Sequence, residues 1–306
     1  MTIPTLMDIE LLVHGHSCLD VHIRHDDAPA NDWQYRIQSM EINGGGMAAN
    51  AAVAASRLGL RTGFSGRLGI DPFSQFQMDE FHQNGVNTEL VVQQGYIPSL
   101  FLAMNHSKGQ SEYSWYQMPH ASMVSDALNC QPSLILLDGE SFDVAIALIE
   151  TARERDIPVI LDACFLSDRR LALIPKFDMV IASHDFVREY MQSEDWHAGL
   201  RQLTQHCTKT IITLDSEGCI WHWQGEKGSM NCWPVECVDG LGAGDAFHGA
   251  FCTGLLRGYT LHENLRFASA AGALCCTREG TRAGLPDMPT IKRFMASHPE
   301  PVITPV

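Results

Sequence analysis

No stretch of the 306-residue chain approaches about 18 uninterrupted apolar residues, so no membrane-spanning helix is expected. Basic residues are scarce. Lys and Arg number 21 against 36 Asp and Glu, a net charge of −15, which argues against nucleic acid or an anionic membrane surface as a partner. Cys-x-x-Cys pairs are absent, and Cys232 with Cys237, Cys275 with Cys276, and His120 with His222 lack zinc-ligand spacing. The ten cysteines therefore read as free thiols of a cytoplasmic protein. Met1-Thr2-Ile3-Pro4 has neither a basic segment nor an apolar run of the signal-peptide kind. Repeats of about 20–50 residues, low-complexity tracts and flexible linkers are also missing, so a single domain over 1–306 is expected. A composition 45% hydrophobic and 19% charged belongs to an ordinary globular chain.

The chain's most informative stretch is Asp239-Gly240-Leu241-Gly242-Ala243-Gly244-Asp245, followed by Ala246, Phe247, Ala250 and Phe251 at helical spacing. A glycine turn entering a helix forms an anion site, because the first helical N–H groups lack internal partners and carry the positive end of the dipole. Asp245 then has two readings: a charge that merely complements the dipole, or a base that takes a proton from an attacking hydroxyl. His248, one turn on, reads as a packed, hydrogen-bonded histidine. A second glycine turn, Asn43-Gly44-Gly45-Gly46-Met47-Ala48-Ala49-Asn50, opens an Ala-rich helix from about Ala48 to Leu58, closed by Gly59. Gly44-x-Gly46-x-x-Ala49 also fits a dinucleotide fingerprint, with Arg67 on the following strand, and keeps an NADP-dependent oxidoreductase in play.

Elsewhere the pattern gives architecture. Ile9 to Val13 suits a buried parallel strand, and the alternating segments within 21–43 suggest an exposed hairpin. Asp71 reads as a helix N-cap with Pro72 at the first helical position. From residue 133 the apolar runs Leu134–Leu137, Val159–Leu161, Met179–Ile181 and Thr210–Thr213 alternate with helical stretches, implying an α/β fold with a mostly parallel sheet flanked by helices on both faces. A hairpin of Cys219–Trp223 and Ser229–Trp233 and a buried helix over Leu261–Thr277 follow. Arg278 and Arg282 read as solvated surface arginines.

Both glycine motifs resemble signatures of the ribokinase (PfkB) family of sugar kinases: Gly-Gly-x-x-Ala-Asn at Gly45 to Asn50, and Asp-Thr-x-Gly-Ala-Gly-Asp at Asp239 to Asp245, with Gly240 in place of Thr. The resemblance covers nearly the whole chain. It implies a ribokinase-like fold with a small β-sheet lid inserted from about 20–43 and 97–117, where Ser99 to Met104 and Tyr113 to Tyr116 supply the second piece. It implies Gly242, Ala243 and Gly244 as anion hole, Asp245 as catalytic base, and Asp20, Gly45, Gly46 and Asn50 as sugar contacts. Thr213, Gly218 and Gly280 would border the nucleotide, although Asp215 replaces the first Gly of the family's nucleotide loop. Ser183 and Phe186 replace the Asn and Glu of a motif that helps position Mg²⁺. The cofactors implied are ATP, Mg²⁺ and a monovalent cation such as K⁺, and the assembly a homodimer through the lid. The segment from Arg266 to Asp287 is most similar to sulfofructose kinases and, more loosely, ketohexokinases, which implies a ketose or sugar-acid substrate; Glu140 stands where an anionic sugar would want a cation. A nucleoside kinase or a non-catalytic sugar-binding protein are the alternatives on the same fold.

Overall fold

The computed structural model describes residues 3–25, 36–95, 99–106, 109–115 and 130–305. The chain opens with strand β1 (Leu11–His14), a pair β2 (Cys18–His25) and β3 (Ile37–Gly45), helix α1 (Met47–Arg57), β4 (Thr62–Leu68), α2 (Pro72–Gln83) and β5 (Asn87–Gln93). Next come β6 (Leu100–His106), β7 (Gly109–Trp115), β8 (Leu134–Leu137), α3 (Phe142–Glu154), β9 (Val159–Ala163), α4 (Asp168–Leu173) and β10 (Met179–Ser183). The remainder is α5 (His184–Met191), α6 (Trp196–Thr204), β11 (Lys209–Thr213), β12 (Cys219–Trp223), β13 (Glu226–Met230), α7 (Ala243–Leu256), α8 (Leu261–Cys275), α9 (Met288–Ser297) and β14 (Ile303–Pro305).

Ten strands form one sheet in the order β14-β13-β12-β11-β10-β9-β8-β1-β4-β5. Pairing is parallel from β5 to β11 and antiparallel from β11 to β14. Alternate residues of each strand feed opposite cores, which is why the strand sequences are apolar without interruption. Leu134 and Leu136 of β8 join Leu11, Val13 and helices α1, α7 and α8. Ile135 and Leu137 join Leu12 and helices α3, α5 and α6 on the other face.

Helices α1 and α7 cross on small residues. A Cβ on Gly249 would come within 2.6 Å of the Ala51 carbonyl and 2.7 Å of Ala54. The Ala-rich composition of α1 thus has a packing cause, since only small side chains let the two backbones approach this closely. The crossing sets Asn50 of α1 against the first turn of α7.

The second sheet is small and runs β3-β2-β6-β7. The hairpin expected to be exposed is so only in part: β3 is largely exposed, whereas β2 is mostly buried because it lies between β3 and β6. Residues 26–35, 96–98 and 116–117, including Tyr116, lie outside the described residues. The other hairpin is displaced from its expected place. β12 turns through Gln224 and Gly225, both at positive φ, and β13 begins at Glu226, not Ser229. Two residues with positive φ make the tight turn whose twist matches its strands, so no longer loop is needed. Asp71 caps α2 by accepting from the Phe73 and Ser74 N–H groups, with Pro72 at the first helical position, as expected.

Candidate active site

Helix α7 begins directly at the glycine motif. Gly242 is its N-cap at φ +79°, a conformation strained for any residue with a Cβ, and Ala243 and Gly244 form the first turn. Helix geometry leaves the Gly244 and Asp245 N–H groups without an intrahelical acceptor, while that of Ala243 reaches the Gly240 carbonyl at 3.3 Å.

Asp245, third in the helix, is buried, and its Oδ2 accepts from Asn50 Nδ2 at 2.8 Å. Burial, with the nearby Asp162 carboxylate, pushes its pKa up to about 8, while the Asn50 hydrogen bond pulls the other way. A carboxyl of this kind is a competent proton acceptor near neutral pH.

Asp20 lies on β2, buried, accepting from Thr281 Oγ1 at 3.0 Å and Cys18 Sγ at 3.1 Å. Burial raises its pKa as well. Gly45 is required beside it, since a Cβ there would fall about 2 Å from the carboxylate. Gly46, at φ +93°, turns the chain into α1 against the His16 backbone. Asp20, Gly45, Gly46, Asn50 and Asp245 are thereby brought together from four elements.

On the far side of the α7 N-terminus a cavity of about 420 Å³ is lined by Thr213, Gly218, Gly240, Ala243 and Gly244. Trp233, Pro234, Val235, Phe247 and Ala273 give it apolar walls suited to a flat heterocycle. Thr213 and Gly218, expected to border the nucleotide, both line this cavity, and Gly218 also has a packing cause, since a Cβ there would meet the Met230 carbonyl at 1.9 Å. Gly280 does not line this cavity. Its N–H donates to Asp239 Oδ2 at 3.0 Å, and Asp239 Oδ1 accepts from Leu241, so the carboxylate ties the C-terminal loop to the glycine motif.

Several other residues are now placed. Ser183 caps α5 by accepting from the Phe186 N–H, and Phe186 is fully buried in the core, so these two positions are structural. Glu140 pairs with the buried Arg170. His248 is buried, with Nδ1 against the Gly244 carbonyl at 2.7 Å and Nε2 3.4 Å from Asp162, a packed histidine as expected. Arg278 is exposed, but Arg282 corrects the surface reading: it is 1% exposed, donating through Nε to Asn50 Oδ1 and through an Nη to Glu80 Oε2, both at 3.0 Å. Sequence reasoning missed Arg282, Glu80 and Thr281 as site residues. For Thr281 and Arg282 the nearest signal was their position in a loop that follows a buried helix and leads into Gly284; Glu80, on α2, offered none.

No group of three or more His, Cys, Asp or Glu among the described residues could hold a metal ion alone, and no helix there is long and apolar enough to cross a membrane. The Gly44-x-Gly46-x-x-Ala49 turn follows β3, an antiparallel edge strand of the small sheet, not a parallel strand of the main sheet, so the dinucleotide fingerprint loses its structural context.

A helix start with N–H groups lacking intrahelical acceptors, a buried carboxylate beside it and a cavity reaching the same glycines are the parts a phosphotransferase needs. Residues 8–288 match the pfkB family carbohydrate kinases, and the chain belongs to that family. It is 28% identical over 287 residues to fructokinase-2 of Oryza sativa subsp. japonica, covering 81% of this chain and 82% of that one. It is 27% identical over 304 residues to a nucleoside kinase of Methanothermobacter thermautotrophicus, covering 94% and 96%. Among solved structures, Arabidopsis thaliana ribokinase complexed with ribose and ATP superposes with a TM-score of 0.80 at 22% identity, covering 96% and 99%.

Proposed function

We propose that this carbohydrate kinase transfers the γ-phosphoryl group of ATP to a primary hydroxyl of a small sugar or sugar derivative, with a ketose or sugar acid favoured. The observation that carries the reading is the position of Asp245, buried between Asn50 on one side and, through Gly244, the nucleotide-sized cavity on the other. Asp245 takes the hydroxyl proton as the oxygen attacks. The Gly242 to Gly244 turn steadies the transferring group with N–H donors and the helix dipole. Asp20 and Asn50, with the backbone at Gly45 and Gly46, hold the sugar, and the small sheet covers it as a lid.

Mg²⁺ fits this site as a companion of ATP and not as a resident ion. It is commonly held by phosphates, water and one or two carboxylates, and Asp162 presents a buried Oδ2 without a hydrogen-bond partner near Asp245. When bound, it neutralises charge on the β- and γ-oxygens. The monovalent cation would have Asp239 beside it, and comparing turnover in K⁺ with turnover in a bulky organic cation tests that.

The second reading is a nucleoside kinase, favoured by the near-complete coverage of the Methanothermobacter relative. The experiment that separates the readings is ADP release with ATP and Mg²⁺ over ketoses, aldoses, sugar acids and nucleosides, run beside Asp245→Asn. One productive acceptor, with turnover lost by roughly 10³-fold or more in the variant, is expected. A variant as active as the parent removes Asp245 as the base.

A further inference from the structure

The chain Glu80–Arg282–Asn50–Asp245 spans 232 residues of sequence, from Asn50 to Arg282, and meets in one buried place. Its chemistry fixes a direction. Arg282 can only donate, and an ionised Asp245 can only accept. An amide placed between them has one satisfied orientation: Oδ1 towards Arg282 and Nδ2 towards Asp245. Arg282 is itself immobilised, with Glu80 at 3.0 Å on one Nη and its guanidinium carbon 5.0 Å from the centre of the Phe81 ring. Glu80 in turn accepts from the Gly44 N–H at the start of the glycine turn, so the same carboxylate anchors both the arginine and the loop that carries Gly45. A Cβ on Gly44 would meet the guanidinium at 2.2 Å, which shows how closely the loop is fitted around it.

We infer that Arg282 is a positioning residue for the phosphoryl transfer: it locks the Asn50 amide so that Nδ2 faces the base, and leaves the second Nδ2 hydrogen and an Oδ1 lone pair for a sugar hydroxyl. Positioning, not phosphate binding, is the role its contacts support: Nε and one Nη are committed to Asn50 and Glu80 in a buried place, while the other Nη has no hydrogen-bond partner among the described residues. The inference rests on the reading of Asp245 as the base.

A rotated Asn50 would turn Oδ1 towards the carboxylate, replacing an attraction by a repulsion between two acceptors. The charged form of Asp245 would then lose a hydrogen bond that favours it. The carboxylates Asp162, Asp20 and Asp138 and the thiols Cys18, Cys164 and Cys275 also interact with Asp245, and all of them disfavour its ionisation or are themselves pushed up by it. His248, on the same helix, faces Asp162. Among these groups Asn50 is the one that holds the carboxyl down.

The test is a double-mutant cycle of Arg282→Met and Asn50→Ala, read as kcat, KM and the pH profile of kcat/KM on the acceptor found in the panel, with thermal melting as the folding control. Arg282→Met is expected to lower kcat/KM by roughly 10- to 100-fold and to move its acidic limb to higher pH. On the Asn50→Ala background the same change should cost less than about twofold, because the residue it acts through is gone. Where Arg282→Met does not melt cooperatively, Arg282→Lys serves. Lysine keeps the charge but cannot fork between Glu80 and Asn50, so the same shift, again lost on Asn50→Ala, is expected. An undiminished cost on the Asn50→Ala background, or a folded variant with the parental pH profile, overturns the inference. Parental activity in Asp245→Asn would instead overturn the base, and so separates the two failures.

Discussion

At the scale of a single residue, Asp245 sets function against stability. Its carboxyl is raised from 3.8 to about 8 in the folded chain, chiefly by burial. A folded-state pKa above the unfolded one means that the native protein holds a proton the unfolded chain has released. Stability from this group is therefore full below about pH 4 and is lost as pH rises through about 8. Asn at this position can still accept from Asn50 and carries no charge to desolvate. Asp245→Asn should thus be more stable than the parent near pH 8, by roughly 1–2 kcal/mol, with the gap narrowing towards pH 5. Urea denaturation of both proteins across that range measures it; an equal gap at both ends would show that the carboxyl does not titrate there. With Asp245 as the proposed base, the same pKa predicts that kcat/KM climbs with pH up to about 8, since the base must be ionised.

At the scale of an element, the start of α7 contains two glycines whose causes differ. Gly242 sits at φ +79° with the Thr281 carbonyl 3.2 Å from where a Cβ would lie, so its requirement is structural. Gly244 is inside the helix, and a Cβ there meets nothing within 4 Å. Alanine is the better helix former by up to about 1 kcal/mol, so no packing reason keeps Gly244 a glycine. On the proposed function, space for a phosphoryl group does. Gly244→Ala should leave stability unchanged or slightly higher while kcat/KM falls roughly 10- to 100-fold. Gly242→Ala should lose roughly 1–2 kcal/mol of stability. A fully active Gly244→Ala would move the anion hole elsewhere. These two glycines also show what the sequence discloses. The turn-to-helix motif was legible because its chemistry is local, as were β8 to β11, whose unbroken apolar runs leave little alternative to a buried parallel strand. β13 was misplaced because Ser229 and Trp233 advertised a strand more strongly than Glu226, although pairing with β12 begins at Glu226. Arg282 was unreadable because burial depends on Glu80 and Asn50, and nothing near residue 282 signals partners so distant in sequence.

At the scale of the molecule, the small sheet has two unlike faces. Residues paired across strands share a face, so Asp20, His22 and Arg24 of β2 lie with Asn43, Glu41 and Ser39 of β3. This face meets the C-terminal loop: Asp20 accepts from Thr281, His22 Nδ1 lies 3.8 Å from Asp239, and Arg24 pairs with Glu279. The opposite face carries Val21, Ile23, Met40, Ile42, Leu102 and Met104. Met40 is 55% exposed and Ile42 39%, an apolar surface with β3 as an edge strand beside it. A contiguous apolar face next to an edge strand is a surface that a second copy would cover, burying the side chains and protecting the edge. We therefore expect a homodimer through the lid, its two sheets packed on these faces. Light scattering at micromolar concentration should give twice the chain mass, and Met40→Asp with Ile42→Asp should give a monomer without unfolding it. On the proposed function the lid's inner face borders the sugar, so a dimer would also bear on catalysis: the monomeric variant should show a raised KM for the sugar and little change in KM for ATP, proposed to occupy the cavity on the far side of α7. A parent protein that scatters as a monomer would count against the dimer, and a variant with both KM values unchanged would show that the lid keeps its place without a partner.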